Sequence, residues 1–301
     1  MANQQTTAIH QPSSTSHRPP TTWTPVHCPL TLRLSYIRGL QKTCMHHLTP
    51  AFIDALDRFG PISLAEMDDV QLLRRKDTKY LMSEPQLLDA LVKLAAHYDV
   101  LAIAGQRSAR YETLYFDHAG MELYFAHHSG KVQRHKVRKR AYVDSGLAFL
   151  EVKLKRKGMT DKRRLRVAGL EPNLSQEEQA FVAAQGAPVA GLKPSLFNRF
   201  DRITLVNKAR TERLTLDWNI VVAEPGAEAT PAEWCGVCIA ELKQSGIDRL
   251  SPFAQWAKGL QIRPERVSKY CIGLAETREG LKANRFKAKR RKLSKLTTHA
   301  V

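Results

Sequence analysis

The sequence predicts an α+β fold in which antiparallel strands curl into a closed or nearly closed tunnel, with helices packed outside it. Two observations carry this prediction. Outside two short helical segments, apolar and polar residues alternate with period two through most of the chain, which is typical of strands with two chemically different faces. In several of these segments, one whole face is a row of Lys and Arg. The expected sheet therefore has an apolar face and a cationic face.

Composition narrows the class of protein before any motif is considered. The chain has 301 residues, of which 43% are apolar, and this suffices for a well-buried core. Its formal net charge of +18 indicates an anionic partner. The five cysteines are odd in number and irregularly spaced, so a reducing, cytoplasmic location is predicted. Charge interrupts every apolar run well before the roughly 18 residues that a membrane span needs, which predicts a soluble protein.

The chain divides by composition into three parts. Residues 1–45 are rich in Thr, Ser, Gln, Pro and His and have few periodic apolar positions, so a disordered leader is predicted. A folded domain is expected over residues 46–277. Residues 278–301 form a basic tail, in which eight Lys or Arg and no acid occur between positions 282 and 295. We expect a solvated, disordered or weakly helical arm there; an arm that contacts nucleic acid, an acidic protein or polyphosphate is the alternative.

Two segments have helical rather than alternating periodicity. Phe52, Ala55, Leu56 and Phe59 recur at helical spacing before a Gly-Pro stop. Pro85 then opens a second amphipathic segment, EPQLLDALVKLAAHY, with proline in the first turn. Both helices are expected to pack outside the sheet.

The segment RHKVRKRAY shows the cationic face most clearly. Because neighbours in a strand point to opposite faces, Arg134, Lys136, Arg138 and Arg140 share one side. Lys139 points the other way, together with apolar neighbours, and is expected to be exposed to solvent. The segment thus predicts one row of four cations.

Four further segments repeat this arrangement. Their polar faces carry, in chain order, Glu151, Lys153, Lys155 and Lys157, then Lys162, Arg164 and Arg166, then Arg213, Thr215 and Asp217, and finally Glu241 and Lys243. If all these faces met bulk solvent, adjacent strands would set like charges side by side, which is destabilising. Around a wet lumen, the repulsion is relieved when a polyanion enters. We therefore favour a barrel; an open sheet with one basic face is the alternative.

Eight short motifs, each weak alone, occur in an order that resembles a known family. They are RKDTKY at 75–80, YETLYFD at 111–117, KVRKRAY at 136–142, FLEVKLK at 149–155, FDR at 200–202, ERLTLD at 212–217, ELK at 241–243 and SKYC at 268–271. From about residue 70 to residue 274, the chain resembles the catalytic domain of the vacuolar transporter chaperone (VTC) family. That domain is a polyphosphate polymerase in the CYTH-like triphosphate tunnel metalloenzyme superfamily.

The resemblance implies an eight-stranded antiparallel tunnel in which Lys and Arg bind the phosphates of a nucleotide and of the growing polymer. Carried over by position, the catalytic phosphate ligands are Lys79, Arg138, Arg140, Lys153, Arg202, Arg213 and Lys269. Further phosphate contacts are expected from Lys136, Lys155, Lys157, Lys162, Arg164 and Lys243. The implied cofactor is a divalent metal, Mn²⁺ or Mg²⁺, held by Glu241, with Glu151 and Asp217 as weaker candidates.

The implied activity is transfer of the terminal phosphate of a nucleoside triphosphate, with ATP expected, to a polyphosphate chain. Phosphoryl transfer needs mainly positioning and neutralisation of charge, and cations with a metal supply both. Related tunnel hydrolases and cyclases begin with a Glu-x-Glu-x-Lys strand. Here Arg75 occupies the first acidic position of that motif and Asp77 the second, which favours the polymerase-like branch over a triphosphate or polyphosphate hydrolase.

A non-catalytic binder of polyphosphate or nucleic acid is the third possibility, and the basic tail is its main support. Binding of single-stranded nucleic acid generally uses aromatic side chains on which bases stack. Between residues 131 and 166, only Tyr142 and Phe149 are aromatic. Recognition of phosphate without recognition of bases is therefore favoured in that block.

Overall fold

A computed structural model describes residues 49–68, 76–156, 159–226 and 231–298 of the chain. The strands are β1 (Gly60–Ile62), β2 (Lys76–Ser83), β3 (Tyr98–Leu101), β4 (Ala109–Asp117), β5 (Arg134–Tyr142), β6 (Leu147–Arg156), β7 (Met159–Val167), β8 (Lys193–Asn207), β9 (Glu212–Ala223), β10 (Ala232–Trp234) and β11 (Val237–Gln244). The helices are α1 (Pro50–Asp57), α2 (Leu64–Asp68), α3 (Glu84–Leu94), α4 (Glu122–Ser129), α5 (Gln176–Ala184), α6 (Pro252–Gly259), α7 (Lys269–Thr277) and α8 (Lys287–Thr298).

Eight of these strands form one continuous antiparallel sheet. Their order is β2–β11–β9–β8–β4–β5–β6–β7, and β1, β3 and β10 pair at its margins. A register shift between Arg199 and Asp201 of β8 interrupts the pairing with β9, and such bulges bend a sheet. The sheet curls into a half-barrel with helices outside. The predicted α+β fold with an eight-stranded antiparallel sheet is confirmed.

A short connecting segment crosses part of the gap that the half-barrel leaves open. The amide of Glu265 donates to the carbonyl of Lys79 in the edge strand β2 at 2.7 Å. Three residues later, the hydroxyl of Ser268 accepts a hydrogen bond from the ammonium of Lys136 in β5 at 2.9 Å. Residues 264–268 therefore link β2 to β5 across part of the open side of the half-barrel.

The two predicted helices pack on the convex side of the sheet. The Thr49 hydroxyl caps α1 by accepting from the amide of Phe52 at 3.3 Å, and Ser83 begins a capping box at α3. Together with α6, these helices cover outward side chains of β2, β8, β9 and β11, such as Leu214 and Leu216. Both helix predictions are confirmed.

Helix α5 covers the outward face of β5 and β6. Lys139 on this face is only 1% exposed. Its ammonium pairs with Glu178 at 2.9 Å and donates to the carbonyl of Asn173 at 3.1 Å. The predicted alternation of β5 is correct, but the predicted exposure of Lys139 is wrong. A helix lies over that face, and the alternation of one strand carries no information about what covers it.

Helix α7 packs on the concave side of the sheet. A Cβ atom at Gly273 would come within 2.8 Å of Leu196 in β8 and 3.2 Å of Val222 in β9, so a residue without a side chain is needed for this close approach. Leu196 lies on the same face as Arg202, because alternate residues of a strand share a face. Helix α7 therefore fills part of the concave side and brings its first residue, Lys269, to the lumen.

The basic tail contains a packed helix. Leu293 of α8 is 2% exposed and belongs to the same core cluster as α7. Lys292 pairs with Glu265 at 2.5 Å. The exposed cations of α8 follow one another at four-residue intervals, at Lys287, Arg291 and Lys295. The division into leader, domain and tail stays a proposal, and residues 1–45 lie outside the described part of the chain.

Among the described residues, no helix is both long enough and apolar enough to cross a membrane.

Candidate active site

Cations on the concave face of β5, β6 and β7 lie opposite one another across the strands. Arg134 lies opposite Lys155, and Lys136 lies opposite Lys153. Lys153 in turn lies opposite Lys162 of β7. Like charges directly opposite each other destabilise a sheet. The structure thus brings together the cationic rows predicted from alternation, and their repulsion would be relieved by a bound polyanion.

Each of the three predicted metal-binding carboxylates lies between two cations. The first, Glu151, is completely buried. It accepts hydrogen bonds from Nε and Nη2 of Arg138 at 2.8 and 2.6 Å and also contacts the ammonium of Lys162. Both hydrogen bonds from Arg138 end on the same carboxylate oxygen, Oε2, and such charge-assisted bonds are stronger than neutral ones.

Asp217 is held in the same way by residues from two different elements. Arg202 of β8 donates from Nε and Nη2 to the two carboxylate oxygens at 2.6 and 2.8 Å. The ammonium of Lys269, at the start of α7, contacts the same carboxylate. Asp217 therefore fixes the start of α7 against the sheet. The side chain of Asp217 is only 5% exposed.

Glu241 is held by lysines alone. Its carboxylate contacts the ammonium of Lys79, its direct neighbour in the β2–β11 register, and lies 2.7 Å from the ammonium of Lys243. Its side chain is 17% exposed, more than that of either other carboxylate. Glu241 is thus the lumen carboxylate that is most open to an incoming ligand.

Electrostatics separate the Arg-bound carboxylates from ordinary surface acids. Burial alone would raise the pKa of Glu151, but Arg138 and its cationic neighbours hold that pKa well below its usual range. Burial would likewise raise the pKa of Asp217, and Arg202 reverses the effect. Both carboxylates are therefore held in the ionised form near neutral pH. To reach either of them, a metal would have to displace a guanidinium that donates two hydrogen bonds to it.

Several lumen lysines have pKa values below the usual range. Burial, followed by repulsion from Lys243, lowers the pKa of Lys79 to about 7. Burial lowers the pKa of Lys162 to about 8 despite its contact with Glu151. Burial and neighbouring cations hold the pKa of Lys153 well below its usual range. In the free tunnel, burial and mutual repulsion therefore oppose full protonation of these lysines.

Arg140 and Lys153 are among the predicted phosphate ligands that form no ion pair with a carboxylate in the part of the chain that the structure describes. Arg140 is 7% exposed and donates from Nε to the hydroxyl of Thr113 at 3.2 Å. Lys153 forms neither a hydrogen bond nor an ion pair with any described residue. A phosphate could meet these two cations without displacing an acid.

Arg213, Arg164 and Lys157 are further predicted phosphate ligands. Arg213 lies opposite Lys243 in the β9–β11 register. The guanidinium of Arg164 lies 4.9 Å from the ring centre of Phe149. Lys157 falls outside the described residues. The phosphate-binding roles of these residues stay predictions.

Sequence reasoning missed the aromatic residues beneath the lumen arginines. The guanidinium of Arg202 lies 4.9 Å from the ring centre of Tyr111, and that of Arg138 lies 5.8 Å from the ring centre of Tyr115. Such cation–π contacts orient the plane of a guanidinium. A signal was available, because alternation in YETLYFD places both tyrosines on one face.

The sequence analysis gave no site role to three further polar residues of the lumen. Asn198 is completely buried, and neither of its amide atoms has a hydrogen-bond partner among the described residues. The same holds for the hydroxyl of Thr215. Asp77 lies two residues before Lys79 on the same face and opposite Lys243 in the register. Buried polar groups without partners are rare and indicate a bound polar molecule or water.

A divalent metal fits the lumen best at Glu241. Lysines can leave a carboxylate more easily than a bidentate arginine can, and Glu241 is the most exposed of the three acids. Mg²⁺ commonly binds to one or two carboxylates and completes its shell with substrate phosphates and water. The groups present, one open carboxylate beside a wall of cations, match that pattern.

A second group of potential ligands lies at the start of α4 and has a structural role. Asp117, His118 and Glu122 could hold a metal ion by proximity. The Asp117 carboxylate, however, accepts hydrogen bonds from the backbone amides of Leu123 and Tyr124 at 2.9 and 2.8 Å. This carboxylate therefore caps the helix, and the cluster is not part of the cation-lined lumen.

Fold and site together define an antiparallel tunnel protein whose lumen is lined by Lys and Arg, with carboxylates held between them. A family model described as the VTC domain matches residues 74–278, more than half of the chain. The chain belongs to the VTC domain family, which confirms the resemblance. Membership of this family supports a phosphate-transfer role connected with polyphosphate, and a phosphotransferase type of enzyme. It is also consistent with binding of nucleoside triphosphate or polyphosphate.

Similar solved structures were also found. A candidate adenylate cyclase from Bacillus halodurans is 13% identical, with a TM-score of 0.44, and the match covers 65% of this chain and 95% of that one. A candidate adenylate cyclase from Vibrio parahaemolyticus is 13% identical, with a TM-score of 0.40, covering 67% and 97% of the two chains. These similarities are too low to carry an argument. No curated protein sequence matches the chain.

Proposed function

We propose that the protein is a polyphosphate polymerase-like phosphotransferase. It would transfer the terminal phosphate of a nucleoside triphosphate, with ATP expected, to a growing polyphosphate chain in a reaction that depends on Mn²⁺ or Mg²⁺. The observation that carries this proposal is the lumen wall, where cations lie opposite cations across β5, β6 and β7 beside the open carboxylate of Glu241.

The length of the cationic row favours a polymer over a single small anion. Arg134, Lys136, Arg138 and Arg140 project from one face of β5, and alternate residues of a strand are about 6.6 Å apart. The row therefore spans about 20 Å. A chain of phosphates presents charge along its whole length and can meet every member of such a row.

Two properties of the wall suit it to hold a phosphate chain during transfer. Arg138, Arg140 and Arg202 have planar guanidinium groups that can each bind two phosphate oxygens, and the aromatic rings beneath them fix those planes. Phosphoryl transfer proceeds by alignment of attacking and leaving oxygens and needs no nucleophilic side chain. The terminal phosphate of the polymer would act as the nucleophile.

Glu241 would hold the metal ion, which supplies neutralisation of the charge on the phosphate oxygens. Lys79 is a partner that can leave Glu241, because its pKa of about 7 makes the neutral amine accessible near physiological pH. Lys243 lies 2.7 Å from the same carboxylate, and burial lowers the pKa of its ammonium as well. Asp77, on the neighbouring strand, faces the same part of the lumen.

The test is to incubate the purified chain with ATP and Mn²⁺ or Mg²⁺ and to resolve the products on a gel stained for polyphosphate. A ladder of polymers is expected. Release of free phosphate alone would instead identify a hydrolase, and the absence of both products would identify a binding protein. Arg140→Ala should abolish the ladder, while Arg163→Ala should preserve it, since Arg163 lies on the outward face of β7 with a 65% exposed side chain.

A further inference from the structure

Helix α8 carries a stripe of cations on the side that faces away from the core. The stripe consists of Lys287, Arg291 and Lys295, and all three side chains are exposed. Leu293, on the other side of the helix, is buried in the core cluster that includes α7. Because residues four apart in an α-helix lie above one another, the three cations form a single row about 12 Å long.

Within the described residues, no acid balances this stripe. Its three members form neither an ion pair nor a hydrogen bond with any described residue, and the sequence has no Asp or Glu after Glu279. Like charges four residues apart destabilise a helix. A polyanion bound along the stripe would relieve this repulsion, as it would for the cationic rows of the lumen.

The helix that presents the stripe is held in place by contacts along its length. Just before α8, the guanidinium of Arg285 donates to the carbonyl of His128 at 2.8 Å. Farther along, Lys292 pairs with Glu265 at 2.5 Å, and Leu293 is buried. The cations are therefore fixed in a row before a ligand arrives, and this preorganisation lowers the entropic cost of binding.

One short segment connects the stripe to the lumen. The carboxylate of Glu265 pairs with Lys292, the residue next to Arg291 in the chain. The amide of the same Glu265 donates to the carbonyl of Lys79 in β2, and the ammonium of Lys79 contacts Glu241 in the lumen. A single residue thus contacts both α8 and the edge strand of the half-barrel. A polymer that extends out of the lumen past β2 would come close to the stripe.

The stripe suits a chain of phosphates better than a single-stranded nucleic acid. Binding of single strands generally uses aromatic side chains for stacking, and Phe286, the aromatic residue beside Lys287 in the chain, packs against the core. Residues four apart in a helix are about 6 Å apart, close to the roughly 6.6 Å between alternate residues of a strand. The stripe therefore repeats the charge spacing of the lumen rows, and one polymer can match both.

We propose that the stripe of α8 is a second polyphosphate-binding site, which holds the part of the polymer that lies outside the tunnel. The proposal rests on the proposed function, because it takes polyphosphate to be the polymer of the lumen. A chain long enough to reach both sites meets the second at a high effective concentration. Tripolyphosphate is too short to bridge them. The length of the ligand therefore decides whether α8 contributes to its affinity.

The test compares tripolyphosphate with long-chain polyphosphate by isothermal titration calorimetry on the purified full chain. A second site engaged by the same ligand raises affinity by about 100-fold or more. Replacement of Lys287, Arg291 and Lys295 with glutamine should therefore weaken binding of the long chain at least about tenfold and leave tripolyphosphate binding within about twofold.

A matched control removes the same charge elsewhere on the surface. Lys93 of α3, Lys208 between β8 and β9, and Lys258 of α6 are exposed lysines. Their joint replacement with glutamine should change the affinity for long-chain polyphosphate by less than about twofold, because charges remote from the ligand are screened. Arg140→Ala, which removes a cation of the lumen, should weaken the binding of both ligands.

The proposal is overturned if the stripe variant and its control bind long-chain polyphosphate equally well. It is also overturned if the stripe variant loses affinity for DNA, single- or double-stranded, and keeps its affinity for long-chain polyphosphate. Failure of the proposed function is distinguishable, since it appears as the absence of a polyphosphate ladder. A protein that makes the ladder and binds long chains independently of the stripe would contradict this second site alone.

Discussion

Arg138 and Lys139 are consecutive residues of β5 that point to opposite faces of the sheet, and each is paired with a buried carboxylate. Arg138 lies 2.6 Å from Glu151 in the lumen, whereas Lys139 lies 2.9 Å from Glu178 of α5. One cation faces the space that a phosphate would enter, and the other is sealed beneath a helix. Their charges are equal, and only their surroundings distinguish them.

This relationship predicts that the two residues fail in different ways. Arg138→Ala should weaken tripolyphosphate binding about ten- to 100-fold, because charge-assisted hydrogen bonds are worth about 1.5–3 kcal/mol. It should also lower stability, because the buried Glu151 loses its arginine and is left with Lys162. Lys139→Ala should lower the free energy of unfolding by about 3–5 kcal/mol, because it leaves a buried acid unpaired, and should leave the affinity of folded protein almost unchanged. Calorimetry and urea denaturation measure the two effects.

Arg163→Ala provides the control for this comparison, since Arg163 is exposed on the outward face of β7. It should alter neither affinity nor stability appreciably. Equal losses of affinity in the Arg138, Lys139 and Arg163 variants would show a diffuse basic patch and would contradict the tunnel.

Glu241→Gln is expected to abolish metal-dependent turnover and leave the fold intact. Removal of its charge also frees Lys79 and Lys243, so metal-free tripolyphosphate binding should become tighter. Turnover measured against metal concentration and calorimetry without metal give the two readouts. Glu224→Gln is a matched control, because Glu224 pairs with Arg278 at 3.3 Å away from the metal candidates. Unchanged metal affinity and turnover in Glu241→Gln would show that Glu241 does not bind the metal.

Tripolyphosphate affinity is expected to fall as the pH rises from about 7 to 9. Lys79 and Lys162, whose pKa values are about 7 and 8, become neutral in the free protein over this range and must regain protons to bind an anion. Each such proton steepens the dependence by up to about tenfold per pH unit. Calorimetry at pH 8 in buffers of different ionisation enthalpy would report proton uptake. Lys79→Met should reduce that proton uptake. If the variant took up as many protons as the wild-type protein, Lys79 would not be one of the groups that gain a proton on binding.

The free energy of unfolding of the ligand-free protein should rise over part of the same range. Lys79 has a pKa of about 7 when folded and about 10.4 when unfolded, so between these values the unfolded chain binds more protons. Stability then increases with pH. Urea denaturation at pH 7, 8 and 9 measures the slope, which Lys79→Met should flatten. A stability that falls steadily from pH 7 to 9 would show that other groups dominate.

Substitutions on the buried and the exposed sides of helix α8 should have different effects, the first on stability and the second on binding to polyanions. Leu293→Ala should cost about 2–5 kcal/mol of stability, because that side chain is buried against α7. Replacing the exposed cations with glutamine, at Lys287, Arg291 and Lys295, should leave stability within about 0.5 kcal/mol and lower the salt concentration that elutes the protein from a polyanion column. Deletion of residues 280–301 should therefore destabilise the protein and weaken its retention on polyanions. An unchanged elution position for the triple variant would place the retention in the tunnel instead.

The sequence by itself determined the cationic rows, the apolar outward faces and the first two helices. These features depend on local geometry, since the two-residue period of a strand and the 3.6-residue period of a helix are properties of the backbone. The eight motifs pointed to the family through their resemblance to it and their order along the chain. The lumen positions of Arg138, Arg140 and Lys153 followed directly.

Only the tertiary structure decided which charge meets which. Lys139 is buried because α5 folds back over β5, Asp217 is held because α7 returns to the concave side, and Glu241 is held because β2 pairs with β11. Each of these contacts joins residues that lie 39 to 162 positions apart in the chain. Local periodicity cannot specify such partners. The free energy of an ionic group depends on its burial and on its neighbours, and both are set when distant segments pack together.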